Sequence, residues 1–215
     1  MMATKIRYPK VEIKYAESIA GTLSKPGKMP CYSTSTPATN CKTGSKLAEV
    51  PGSVCFGCYA LKGNYRFSNV QNALQRRLNG ITHHDWVDAM VTLINSKGED
   101  YFRWHDSGDI QDAAHLAKIC EVARRTPQVK HWIPTREYAI VKAYRKDHDI
   151  PGNLVIRLSA HMIDSKPPTG YGLPTSTVTR NESERTCNAP DQKGKCADCR
   201  MCWDPGIANV AYGLH

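Results

Sequence analysis

From residue 68 to residue 179 the chain alternates helical apolar periods with short apolar runs. Val70, Leu74 and Leu78 share one face of a helix that Ser68 or Asn69 caps and Gly80 stops. Trp86, Met90, Leu93 and Ile94 predict a second helix, with Asp85 as its cap and Gly98 beyond its end. Tyr101-Phe102-Arg103-Trp104 reads as a strand. Asp112 then starts a helix with Leu116, Ile119, Cys120 and Ala123 inward, and Pro127 ends it. Val129 to Ile133 is the next strand. A helix with Ile140, Val141 and Tyr144 on one side follows, and Pro151-Gly152 breaks it. Leu154-Val155-Ile156-Arg157-Leu158 has the run of a buried strand, and Thr175 to Thr179 is a last short one.

Strands alternating with helices at this length argue for parallel pairing with right-handed crossovers. Three helix-linked strands, a fourth after a loop and one near Val54 are too few for an eight-stranded barrel. The expected fold is α/β: a partial (β/α) barrel-like parallel sheet with irregular cysteine-rich N- and C-terminal segments. A partial barrel is more economical here than a doubly wound sheet. The chain divides as one domain, 1–215, with a basic loop-rich segment that holds the first cysteine cluster (1–60), a β/α core (61–180), and a second cysteine cluster followed by a tail, Asn209 to His215 (181–215). Within the first segment Val11 to Tyr15 alternates like an edge strand. Residues 31–57, rich in Ser, Thr, Pro and Gly, read as a long irregular loop that metal coordination would order.

The cysteines change the picture most. Cys41, Cys55 and Cys58 form Cys-x13-Cys-x2-Cys, and Cys187, Cys196, Cys199 and Cys202 form Cys-x8-Cys-x2-Cys-x2-Cys. Met1 to Lys5 lacks an apolar signal region and no run of eighteen apolar residues occurs. A cytoplasmic, reducing setting with no membrane partner is therefore expected, where close cysteine pairs are metal ligands more often than disulfides. Three thiolates on a four-iron cluster leave one iron open. The second set, stepping twice by Cys-x2-Cys, suits a closed cluster better than two zinc knuckles. Cys31, ten residues before Cys41, would close the first site if it also bound, and zinc would then gain weight. Cys120, on an apolar helix face, reads as a small buried hydrophobe.

Charge adds a partner class. Of the net +9, residues 1–77 carry 12 Lys+Arg against 3 Asp+Glu, and the remainder balances. A basic first third attracts nucleic acid or nucleotides; a plain solvated surface is the alternative. Polar residues also recur at successive strand ends, as parallel α/β sites do. They are His105, Asp106, Ser107 and Asp109; Thr135, Arg136 and Glu137; Ser159 and His161; Ser176 and Thr177. Each alone also fits a helix cap or structural hydrogen bond; together they predict a pocket on one rim.

Several strings resemble a bacteriophage family, the gene product 88-like proteins. They are Pro51-Gly52-Ser53-Val54-Cys55, Cys58-Tyr59-Ala60-Leu61-Lys62-Gly63, Phe102 to Asp109, Pro134 to Tyr138, Leu158 to Met162, and Cys196 to Asp204. That resemblance implies a host-cell cytoplasmic protein. The Cys-x2-Cys-Tyr-Ala element is also similar to the first motif of radical S-adenosylmethionine (SAM) enzymes. This second resemblance implies a partial barrel and two 4Fe-4S clusters, an open one on Cys41, Cys55 and Cys58 and an auxiliary one on Cys187, Cys196, Cys199 and Cys202. It further implies SAM held by Ser107, Gly108, Asp109, Arg136 and Ser159, with His105, Asp106, Glu137 and His161 near a substrate and an electron donor as partner. Two other readings stand beside it: a non-catalytic iron–sulfur protein that binds host protein or nucleic acid, and a zinc-stapled nucleic-acid binder.

Overall fold

The computed structural model describes residues 10–214. One sheet holds six strands among them: β1 (Tyr32–Thr34), β2 (Tyr101–Trp104), β3 (Lys130–Thr135), β4 (Leu154–Ser159), β5 (Thr175–Thr179) and β6 (Asn209–Gly213). Every neighbouring pair is parallel and the spatial order is the chain order. β1 and β6 are the two edges, so the sheet is open. Helices α1 (Lys10–Ala20), α2 (Lys42–Leu47), α3 (Ser68–Gly80), α4 (Trp86–Lys97), α5 (Ala113–Arg125) and α6 (Tyr138–Tyr144) complete a mixed, alternating β/α fold. No helix of the described residues is long and apolar enough to cross a membrane. The expectation about Met1 to Lys5 lies outside the described residues.

Four sequence expectations are corrected. Val11 to Tyr15 belongs to α1, not to an edge strand. Its alternation is too short to separate the two periods, whereas the buried Ala16, Ile19 and Ala20 follow the helical one. Residues 31–57 are not one loop, because β1 and α2 lie inside them. β1 is a three-residue strand of Tyr-Ser-Thr with no apolar run to reveal it. Val54 is in no strand; an isolated bridge joins the adjacent Ser53 to Met162. The tail, finally, supplies β6. At the start of α4, Asp85 sits at the cap position but makes no cap bond. Its carboxylate instead accepts the Tyr15 hydroxyl at 2.8 Å. Asp112 does cap α5, accepting from the His115 amide at 2.7 Å.

Strand side chains alternate between two faces. Phe102, Trp104, Ile133, Leu154, Ile156 and Leu158 join buried residues of α1, α4, α5 and α6 in the main core. Each large apolar side chain so withdrawn from water contributes about 1.5–3 kcal/mol. The opposite face carries Arg103, Trp132 and Arg157, with a smaller core of Cys31, Trp132 and Trp203 packed by Met29, Tyr101 and Cys202.

His131 sits on the helix side, fully buried. The Thr126 hydroxyl donates to the Val122 carbonyl at 2.8 Å, so it accepts from His131 Nε2 at 2.8 Å. Trp104 Nε1 donates to the remaining His131 nitrogen at 3.3 Å. The network thus admits only the neutral ring, and burial holds His131 down to about 3. Burial also lowers His115 to about 3. Both rings bind a proton near pH 6.5 once unfolded, so the unfolded chain takes up more protons between pH 6.5 and 3. Stability is therefore expected to be complete above about pH 6.5 and to fall progressively below it. Urea midpoints measured from pH 7.5 to 4.5 check this, and a flat profile would contradict it.

Candidate metal centre

The chain between β1 and α3 is pinned at several points. Cys41 precedes α2, whose first turn is held by Glu137: one carboxylate oxygen accepts the Thr43 amide at 2.7 Å and the other its hydroxyl at 2.8 Å. Ser53 donates from its hydroxyl to the Leu47 carbonyl at 2.5 Å and accepts the Phe56 amide at 3.0 Å. The Val54 amide reaches the His161 carbonyl at 2.9 Å, and the Tyr59 hydroxyl donates to the Asp106 carbonyl. Gly44 completes the nest. A Cβ there would lie 3.6 Å from both the Cys41 and Cys55 sulfurs, so glycine keeps open the space between two thiols.

The second set is anchored by Arg157, which is fully buried on β4. Its guanidinium donates to the carbonyls of Met201 (2.7 Å), Asp204 (2.7 Å), Ile207 (2.8 Å), Cys202 (3.1 Å) and Thr175 (3.3 Å). The Cys196 amide bonds to the Lys28 carbonyl at 2.9 Å, and the Cys187 amide to Ala211 on β6 at 2.9 Å. Tyr212 on β6 brings its hydroxyl to 3.1 Å from the Cys202 sulfur.

Both sets line one cavity of about 1200 Å³, although some 130 residues of chain separate Cys58 from Cys187. Burial pushes the Cys41 thiol up to about 12 and the Cys202 thiol up to about 11. Nine free cysteines are present and no disulfide joins them. Among the described residues, the ligand atoms that crowd in threes within 4.8 Å are those of His83, His84 and Asp85 at the foot of α4, not the cysteine sulfurs. A single tetrahedral zinc needs sulfurs about 3.8 Å apart, from bonds of about 2.3 Å. Cys31 lies with Trp132, Trp203 and Cys202, on the side of the second set. It does not close the first.

The strand-end residues prove unequally available. Asp109 is buried and its carboxylate accepts from Thr135 Oγ1 (2.6 Å) and from the amides of Ile110 (2.8 Å) and Arg136 (2.9 Å). Burial pushes it up to about 6 despite those donors. Ser107 donates to the Thr36 carbonyl at 2.8 Å, and Gly108 passes Thr36 in a left-handed conformation (φ 78°). Asp106 accepts from the hydroxyls of Ser33, Ser35 and Tyr65. Ser159 and Ser176 bond to each other at 3.0 Å, and Ser176 lies within β5, not at its end. His161 stacks on Tyr138 at 4.5 Å. His105 has φ 54°, a conformation a non-glycine residue rarely holds, and its ring packs on His115 and Trp104 with Nδ1 unpartnered. Arg136 lines the cavity, has a buried Nε without a partner, and draws the Cys55 thiol downward against its burial.

Sequence reasoning missed Arg157, Arg103 and Trp132. A charged residue inside the apolar run Leu154 to Leu158 was the available signal for Arg157. Arg103 and Trp132 gave none beyond strand alternation.

Residues 9–205 match the family described as Gene product 88. The chain belongs to the gene product 88 family. The matched span of this gene product 88 protein takes in both cysteine sets and ends before β6. Comparison with curated proteins and with solved structures finds no match.

Proposed function

We propose that this gene product 88 protein is an iron–sulfur enzyme similar to radical SAM enzymes, with an open 4Fe-4S cluster on Cys41, Cys55 and Cys58 and an auxiliary one on Cys187, Cys196, Cys199 and Cys202. The observation that carries the reading is the setting of the first set. Three thiols follow β1 of an open parallel sheet, at a cavity shared with four more, and Gly44 leaves room between two of them. The two Cys-x2-Cys steps that share Cys199 suit a cluster better than zinc. Cys41, Cys55 and Cys58 would hold the open cluster, which would supply the site for SAM and its reductive cleavage. Arg136, whose buried Nε has no partner and whose charge acts on Cys55, would meet an anionic group of a bound molecule. A nucleotide or nucleic acid is the substrate class that the basic first third favours.

A non-catalytic iron–sulfur protein is the second reading. It is favoured by Asp109 and Glu137, whose carboxylates are spent on the protein's own amides and hydroxyls.

Anaerobic iron, sulfide and zinc analysis with electron paramagnetic resonance of the reduced protein tests these readings. About eight irons per chain and a spectrum altered by SAM are expected. The Cys55→Ala variant should lose about half the iron and all of the SAM response, with the second cluster's signal intact. Iron with no SAM response leaves the non-catalytic reading, and zinc alone discards both.

A further inference from the structure

Of the eight large apolar side chains that stand exposed among the described residues, all but Tyr15 and Leu214 belong to one stretch of chain or pack beside it. Val50, Phe56, Tyr59, Leu61 and Phe67 lie on the segment around the first cysteine set, and Met162 packs beside it near Gly52. Two of the chain's three phenylalanines are there, Phe56 at 52% and Phe67 at 59% exposure, in a protein that buries its third at 2%. Tyr59 is 60% exposed although its hydroxyl is tied to Asp106, so the ring is held as a fixed plate. Residues 59–66 form two short 3-10 turns, and the rings of Tyr59 and Tyr65 meet edge to face at 5.8 Å. Phe56, Tyr59 and Leu61 stand at the cavity.

Cations are interleaved with these rings. Residues 42–77 hold Lys42, Lys46, Lys62, Arg66, Arg76 and Arg77 against the single acid Glu49, a balance of +5. Arg77 is buried and spent on the Thr22 carbonyl; the other five are exposed, and none pairs with a carboxylate among the described residues. Behind this lip Arg103 repeats the pattern inside the cavity. Its guanidinium lies 4.8 Å over the Trp132 ring, and its Nε is buried without a partner.

We infer that this lip docks a single-stranded nucleic acid. Exposed aromatic plates suit unstacked bases, and unpaired cations beside them suit phosphates. A duplex hides its base faces and would leave the rings unused. A protein partner of apolar surface would leave the unpaired cations of this segment without an anion. The strand would run along residues 56–67 and offer a nucleotide to the cavity, where Arg103 provides the anion partner. This names the substrate class of the proposed enzyme and rests on that reading only for what happens inside the cavity; the docking itself does not need a cluster.

The test is fluorescence anisotropy of the anaerobically purified protein with a labelled 15-nucleotide thymidine strand and its duplex with adenosine, across a salt series. Preference for the single strand is expected. Phe56→Ala and Phe67→Ala should each weaken it by about 5- to 100-fold. Lys62→Gln and Arg66→Gln should each reduce the salt slope by about 0.7. These side chains are exposed, so the variants keep the fold, which circular dichroism checks. Tyr15→Ala, which removes an exposed ring on α1, should change nothing. Equal affinity for duplex, or binding indifferent to both phenylalanines, overturns the inference. So does a dimer that Phe67→Ala dissolves, because it assigns the lip to a second copy. Iron without strand binding overturns this inference and leaves the cluster reading standing. Strand binding without iron supports it and removes the enzyme.

Discussion

Replacing Arg157 with leucine is expected to destabilise the protein by about 4 kcal/mol and to empty the second cysteine site. The guanidinium is fully buried and meets five carbonyls, four of them on the segment 201–207 that carries Cys202. Met201 and Asp204 each keep a turn bond, at 3.2 and 3.3 Å. The carbonyls of Cys202 and Ile207 would lose a buried donor, and each such loss costs about 1–3 kcal/mol. Removing a buried charge returns part of that, because its desolvation penalty disappears with it. Leucine has nothing to hold the loop against the sheet, so Cys202 drifts from its three companions. Lysine should fall between, since one ammonium cannot span carbonyls that a planar fork reaches together. Urea unfolding and metal analysis check this. An Arg157→Leu protein within about 1 kcal/mol of the parent, with its metal retained, would show that the loop holds itself.

Gly108→Ala is expected to cost about 3 kcal/mol and to loosen the first site. The added Cβ would lie 2.0 Å from the Thr36 hydroxyl and 2.7 Å from the Thr36 carbonyl oxygen. The hydroxyl can turn aside, but the carbonyl belongs to a backbone that accepts the Ser107 hydroxyl at 2.8 Å. A left-handed φ of 78° adds about 1–2 kcal/mol for any residue with a Cβ. Overpacking against fixed backbone adds about 1–3 kcal/mol. Relief comes only by moving the chain after β1, which leads to Cys41. Gly27→Ala is the control, because nothing lies within 4 Å of its Cβ position and its φ is unexceptional. Thermal unfolding of the two variants separates them, and equal midpoints would sink the steric argument.

The legible parts of the fold were those with a strong local period. α4, α5 and β2 stand where apolar spacing puts them, because each buries a full stripe or face in the main core. β1 and β6 were illegible for the opposite reason. Tyr-Ser-Thr and Asn-Val-Ala-Tyr-Gly become strands because a neighbouring strand accepts them as edges, which is a tertiary event. The candidate site divided the same way. Cysteine spacing pointed to two thiol sets, but not to their common cavity. Strand-end polarity pointed to Asp109 and Glu137, but not to their use as braces for the Arg136 amide and for α2.

The linear chain by itself determines the alternating β/α plan, the two thiol sets and the basic first third, because each follows from the order and type of neighbouring residues. Only the tertiary structure decides that Cys31 sides with the second set, that Arg157 is spent on five carbonyls, and that exposed Phe56, Tyr59 and Lys62 line the cavity of both thiol sets. Those relations join residues far apart in the chain, such as Cys31 and Cys202, 171 positions apart. Burial and register set them, and neither is written in any local stretch of sequence.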